Sequence, residues 1–294
     1  MSTKSFSEQV NEVLSKECGN TVKRNELIKL GLCEHEVRIL LSSVTPTRVR
    51  KGEFDFSKLT FGVEIECYNV VRQELIESAS ESGLAVRSEG YNHADNRHYY
   101  KIVSDGSLRG ENCNEVVSPI LKGTKGMNSL QGICRALASV GARVNRTCGL
   151  HVHIGAERMS DEHYCRLVRN YQRIEKAIDS FMPESRRASN NGFCRSLEGI
   201  DFSGCRTKAD IAIAMRSNRY FKVNAVAYSR HRTIEFRQHS GTTDYEKISH
   251  WVMFLAKLVE YSFKSECEEC STIEQLPFLK ESDKEYFINR RAAL

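Results

Sequence analysis

Apolar residues recur along this chain at two periods, and the switches between them predict its elements. Near the start, Val10, Val13 and Leu14, and later Leu27 and Leu30, repeat at helical spacing. A break at Gly31–Cys33 precedes Glu36–Leu41, so two or three short helices are expected over residues 1–45. The character changes near Pro46. Leu59–Val70 places β-branched and aromatic residues at strand spacing. Gln73–Ser82 predicts a helix, and Leu84–Arg87, His98–Val103 and Glu115–Pro119 predict short strands. Met127–Val140 predicts a helix with Gly141 as its stop. Ala142–Asn145 and Leu150–Gly155 are expected as strands about a Cys148–Gly149 turn. Asp161–Phe181 predicts a long helix ended by Pro183. Glu184–Gly204, rich in Ser and Arg, predicts a mobile loop. Beyond it are expected a short helix over Lys208–Met215, a β-pair of Lys222–Ser229 with Thr233–His239, and an amphipathic helix over Asp244–Phe263. The last thirty residues are charged and expected to be helical and peripheral.

Several strands are joined by connections too short for crossover helices. That pattern favours an α+β fold with a mainly antiparallel sheet. Residues 1–50 are expected as a helical accessory region, 51–263 as the main domain and 264–294 as a peripheral tail. A helix-turn-helix reading of the first segment places Glu34 and Glu36, and few bases, on the recognition helix.

Composition narrows this picture only slightly. The chain has 294 residues, 40% hydrophobic and 28% charged, as in an ordinary globular protein. Lys and Arg total 43 against 38 for Asp and Glu, a net charge of +5. This admits an anionic ligand but argues against a general nucleic-acid binder. No apolar run is long enough to span a bilayer, and MSTKSFSEQV lacks the apolar core of a signal peptide, so a cytoplasmic location is expected. The 11 cysteines cannot all pair within one chain and read as small buried residues in a reducing compartment. A zinc site at Cys267 and Cys270 lacks two further ligands at the usual spacing.

Four stretches carry chemistry. In FGVEIE, Glu64 and Glu66 share one strand face while Val63 and Ile65 share the other. Paired carboxylates repel unless cations sit between them, and such ligands suit Mg²⁺ or Mn²⁺. In GLHVHIG, His151 and His153 share a face between glycines. They read either as metal or phosphate ligands or as satisfied core histidines. In RHRTIEFRQH, Glu235, Arg237 and His239 are expected on one face, with Ile234 and Phe236 on the other. Glu235 beside Arg237 reads as a cross-strand salt bridge, or as a metal ligand beside a phosphate clamp with Arg232 as a second clamp. Asp105-Gly-Ser predicts a turn, and Glu115 opens an apolar strand as a further carboxylate. Together these stretches suggest an open sheet face that holds divalent cations and a polyphosphate. No GxxxxGK[ST] or GxGxxG motif is present.

The stretches FGVEIE (61–66), SDGSL (104–108), EVVSP (115–119), NRTCGLHVHIG (145–155), YFKVN (220–224) and TIEFRQHSGTTD (233–244) resemble, in order, the amidoligase family. That family lies within the superfamily of glutamine-synthetase-like carboxylate–amine ligases. The resemblance spans residues 58–263 and rests mainly on CGLHVHIG and TIEFRQHSGT. It implies a curved antiparallel sheet, helices on its outer face, and ATP with two or more Mg²⁺ in the concave face. It implies amide or peptide bond formation between a carboxylate and an amine through an acyl phosphate. By similarity, Glu64, Glu66, Glu115, His151 and Glu235 would bind metal. His153 would contact ATP phosphate. Arg237 would hold the γ-phosphate, with Arg232 as helper. Asn224 and Asp105 match motif positions, Asn224 as a nucleotide-binding candidate. Oligomeric state stays open.

Two other readings of the residues stand beside this one. A metal-dependent hydrolase would use the same Glu/His face, and a non-enzymatic binding module would act through the helical N-terminus. Cys148 beside His151 also admits thiol catalysis, though packing explains it as well. Glu184–Gly204, with Arg186, Arg187 and Arg195, reads either as a lid or as a solvated basic loop.

Overall fold

The computed structural model of the protein describes residues 56–90 and 98–294, and nearer the start 20–32 with the single positions 9, 12, 13, 16, 34 and 37. Val10, Leu14, Pro46 and most of Glu36–Leu41 lie outside the described residues. Helix α1 spans Asn20–Lys29. Val13, Leu27, Leu32 and Val37 form a small apolar cluster separate from the main core.

One mostly antiparallel sheet organises the rest. Its strands are β1 (Thr60–Cys67), β2 (Val86–Ser88), β3 (Tyr100–Val103), β4 (Asn114–Val117), β5 (Leu121–Lys122), β6 (Gly149–Gly155), β7 (Val223–Asn224) and β8 (Thr233–Ser240). The order is β2-β3-β4-β1-β6-β8-β7, with β5 paired to the start of β1. Among the described strands only β2 and β3 pair in parallel. The helices are α2 (Arg72–Glu81), α3 (Gly123–Ser139), α4 (Asp161–Asp179), α5 (Lys208–Ala214), α6 (Ala227–His231), α7 (Tyr245–Ser262) and α8 (Glu281–Ala292). Among the described residues no helix is long and apolar enough to cross a membrane. The sequence expectation of a mixed fold with a mainly antiparallel sheet is met.

Alternation divides the sheet into two faces. Phe61, Val63 and Ile65 of β1, Val152 and Ile154 of β6, and Ile234 and Phe236 of β8 are buried in one core with α3, α4 and α7. Helices α4 and α7 begin where the sequence places a capping oxygen: Ser160 accepts from the His163 amide, and Asp244 from the amides of Glu246 and Lys247. Their apolar stripes then cover the sheet.

Three local expectations change. Ala142–Asn145 forms no strand; Arg143 alone bridges to Tyr68, and the reversal sits at Arg146–Thr147, so Gly149 already belongs to β6. Lys222–Ser229 keeps only Val223–Asn224 extended before the chain coils into α6, which ends at Arg232 with φ 56°. The third change concerns His239. Leu150 pairs with His239 but Val152 with Phe236, so β8 carries one extra residue there. This bulge turns His239 to the helix side, away from Glu235 and Arg237. Its ring lies 5.6 Å from that of Trp251. Arg290 donates to its Nε2 at 2.7 Å, so Nδ1 carries the proton donated to the Ser240 carbonyl.

The final segment joins the same core rather than lying on it. Cys267, Cys270, Ile273, Leu276, Leu279 and Phe287 are buried there. Its pattern of charges hid this because apolar residues are interleaved singly. Glu184–Gly204 is likewise anchored, with Arg186, Cys194, Leu197 and Phe202 buried. Ser196 and the Leu197 amide donate to Glu175, and the Ala188 amide donates to Asp179.

Buried His239 and His163 titrate below the ordinary imidazole range. Burial dominates in both, and the positive charges of Arg290, Arg186 and Lys247 add to it at His239. An unfolded imidazole gains a proton as pH falls through about 6.5, and these folded ones do not. Each therefore contributes stability that is present above that pH and lost below it. Urea unfolding should show His239→Gln losing about 1 kcal/mol less than the wild type between pH 7.5 and 5.5. Equal losses would remove His239 from this account.

Candidate active site

The sheet face opposite the core holds the polar residues in rows set by strand register. Gly62, His153, Glu235 and Asn224 pair across β1, β6, β8 and β7. The next row pairs Lys101, Val117, Glu64 and His151 across β3, β4, β1 and β6. A third sets Glu115 opposite Glu66, beside Gly149. A cleft of about 1040 Å³ opens over these rows, lined by Glu64, Glu115, His151, His153, Asn224, Glu235, Arg237 and Arg232.

Glu64 lies at the centre. His151 Nδ1 is 3.0 Å from Glu64 Oε2, and His153 Nε2 is 3.2 Å from Glu64 Oε1. His151 Nδ1 is also 3.7 Å from Glu235 Oε1. Two groups of possible ligand atoms, each within 4.8 Å, share Glu64: one with His153 and Glu235, the other with Glu115 and His151. His153 Nδ1 bonds Thr233 Oγ1 at 2.9 Å, and its buried Nε2 faces the Glu64 and Glu235 carboxylates without a well-directed hydrogen bond. A nitrogen so placed among carboxylates fits a cation.

Charge is balanced within the cluster. Burial pushes Glu64 upward, but His153 and His151 outweigh it and hold the carboxyl well below its usual range. Glu115 moves the other way, raised well above by burial and by the charges of Glu64 and Glu66. Burial also raises Glu235, yet Arg237 and His153 bring it below its ordinary value. Both oxygens of Glu235 are held, one by Arg237 Nη1 and the other by Asn224 Nδ2 at 2.6 Å. Arg237 Nε donates to the Phe193 carbonyl, so the guanidinium is fixed at two points.

The remaining candidates are placed differently. Glu66 accepts from the Gly149 amide and lies 3.6 Å from His151 Nε2, outside both ligand groups. The Asn224 amide is engaged by Glu235, and its oxygen accepts from the Val226 amide, so its direct role is to fix Glu235. Arg232 is exposed on the cleft wall, its guanidinium 5.4 Å from the Tyr228 ring centre. Asp105 lines the cleft and accepts from the Ser107 amide. Cys148 is buried and its thiol raised by burial, which favours packing over thiol catalysis.

Arg186, expected within the mobile Glu184–Gly204 loop, instead closes a short 3-10 helix over Glu184–Arg186 and reaches the site. It is 3% exposed and donates to the Cys148 carbonyl. A side chain at Gly149 would meet His151 Nε2 at 2.9 Å and both Arg186 Nη atoms at 3.3 Å. A Cβ at position 149 would push the imidazole or the guanidinium out of place where the two converge. The signal for it was the CG pair before HVH, without any indication of which arginine filled the space.

Residues 57–259 match the family described as "Putative amidoligase enzyme". No curated protein matches the chain. Among solved structures it is similar to one described as "Crystal structure of novel glutamine synthase homolog". That likeness has 12% identity, covers 87% of this chain and 68% of the other, and has a TM-score of 0.39.

Proposed function

We propose that this chain, which belongs to the amidoligase family, is an ATP- and Mg²⁺-dependent ligase that joins a carboxylate to an amine through an acyl phosphate. The observation that carries the reading is Glu64, shared by two ligand groups on one open sheet face, with Arg237 fixed beside them. Glu64, Glu115, His151, His153 and Glu235 would hold divalent cations, Mg²⁺ or Mn²⁺. Bound there, such cations would neutralise these carboxylates and the phosphate charge.

Other residues orient and balance. Asn224 and Arg237 hold both Glu235 oxygens, so the carboxylate is set before substrate arrives. Arg237 offers a permanent charge at the cleft wall for the γ-phosphate oxygens, and Arg232 is the second candidate there. In the reaction, a substrate carboxylate oxygen displaces ADP from the γ-phosphorus. The amine nitrogen then attacks the acyl carbon, the bond from that carbon to the phosphate oxygen breaks, and phosphate leaves. From an ammonium substrate one proton is released to solvent. The chain needs to supply position and charge balance for this, and no nucleophile of its own.

The test is ADP release with ATP, Mg²⁺ and pools of amino acids, polyamines and peptides. Mass spectrometry should find a product equal to carboxylate plus amine less one water. Turnover without ATP, dependent on zinc, would replace this reading by the hydrolase.

A further inference from the structure

The candidate ligands Glu64, Glu115, His151, His153 and Glu235 occupy the middle of the sheet, with Arg237 beside them. Lys122 pairs opposite Thr60 at the start of β1, Arg158 follows the end of β6, and Arg230 lies in α6 just before β8. Gly155 pairs with Thr233, so these strand ends meet at one end of the sheet. Lys122, Arg158 and Arg230 are all exposed and all line the cleft, and Glu157 is the acid beside them. None of the three cations forms an ion pair with a described residue. The cavity, about 1040 Å³, is at the upper limit of the roughly 300–1,000 Å³ that holds one small ligand. Two apolar side chains that also line it, Ile120 and Phe263, stand 43% and 41% exposed.

We infer that this end binds the second substrate, and that this substrate is an acidic peptide whose clustered carboxylates meet Lys122, Arg158 and Arg230. The inference rests on the ligase reading for what happens to that peptide, but not for its binding. A bare polyphosphate would have no use for the apolar wall. An acidic peptide brings both carboxylates and aliphatic stems to it. The cations would also attract it to this end of the cleft, because a local cluster of one charge sign raises the concentration of its counter-charge.

The test uses fluorescein-labelled hexaglutamate with the full chain, without ATP or Mg²⁺, followed by fluorescence polarisation. Hexaglutamine is the neutral control, and tricarballylate and tripolyphosphate are competitors. Hexaglutamate should bind at least tenfold tighter than hexaglutamine and weaken as salt rises. The K122A/R158A/R230A variant should bind it about tenfold more weakly, about 1.4 kcal/mol, with an unchanged melting temperature and unchanged ATP–Mg²⁺ binding. Displacement by tricarballylate as effective as by the unlabelled peptide would overturn the peptide in favour of a small polycarboxylate. Equal binding of hexaglutamate and hexaglutamine, or an unaffected variant, would overturn the proposal outright. So would displacement by tripolyphosphate together with loss of ATP binding in the variant, which would give these cations to the nucleotide. Failure of wild-type ATP–Mg²⁺ binding with hexaglutamate still bound would fault the ligase reading and leave the peptide site standing.

Discussion

Glu64→Gln is expected to lower kcat/KM on the order of a thousandfold, the scale on which a fixed electrostatic group commonly acts. No other side chain belongs to both ligand groups. The amide keeps the volume and one oxygen, yet it removes the charge that His151 and His153 face. The strand should survive, because β1 is held by the buried Phe61, Val63 and Ile65 on its other side. The expected pattern is lost ADP release with a melting temperature within a few degrees of wild type. Glu66→Gln should cost less, since Glu66 mainly receives the Gly149 amide and lies outside both groups. Retained activity in Glu64→Gln, or a larger loss in Glu66→Gln, would move the centre of the site.

Lys222→Ala should produce the largest loss of stability, about 3–5 kcal/mol. Lys222 is 0% exposed and bonds Glu175 at 2.8 Å and Asp179 at 2.6 Å. Those carboxylates also hold the Ser196 hydroxyl, the Leu197 and Ala188 amides and the Gln238 side chain. Removing the ammonium leaves two acids on the core side of the sheet without their cation. It also loosens the segment that carries Phe193 to Arg237. Thermal unfolding should shift by roughly 2–4 °C per kcal/mol in a chain of this size. The K222M/E175Q/D179N variant, which removes all three charges together, should recover much of the loss. A single variant as stable as wild type would show that the network contributes little.

Much of this was legible in the sequence, for a physical reason. Period-two alternation fixes which side chains share a face, so FGVEIE and GLHVHIG placed their acids and imidazoles correctly. The same rule failed at His239, because a single extra residue in β8 inverts the alternation after it. Nothing in RQHS marks that insertion. The buried end of the chain was missed for another reason. Cys267, Cys270, Ile273, Leu276 and Leu279 recur at every third residue, singly among polar and charged ones, a spacing that matches neither the alternation of a strand nor the 3.6-residue stripe of an α-helix. The sequence marks Arg186 only as one arginine of a basic segment, since a residue so far along the chain is brought to Gly149 only by the whole fold.

The position of β1 has a consequence for synthesis. It is a central strand, yet its neighbours β4 and β6 begin about fifty and ninety residues downstream. At roughly 5–20 residues per second, β1 waits several seconds or longer for its second partner. During that interval its edges are open and its Phe, Val and Ile invite pairing with other nascent chains. Glu64 and Glu66 alternate with those residues, and charge on an exposed strand resists such pairing. The carboxylates that gather at the finished site would therefore also oppose such pairing while β1 waits for its partners.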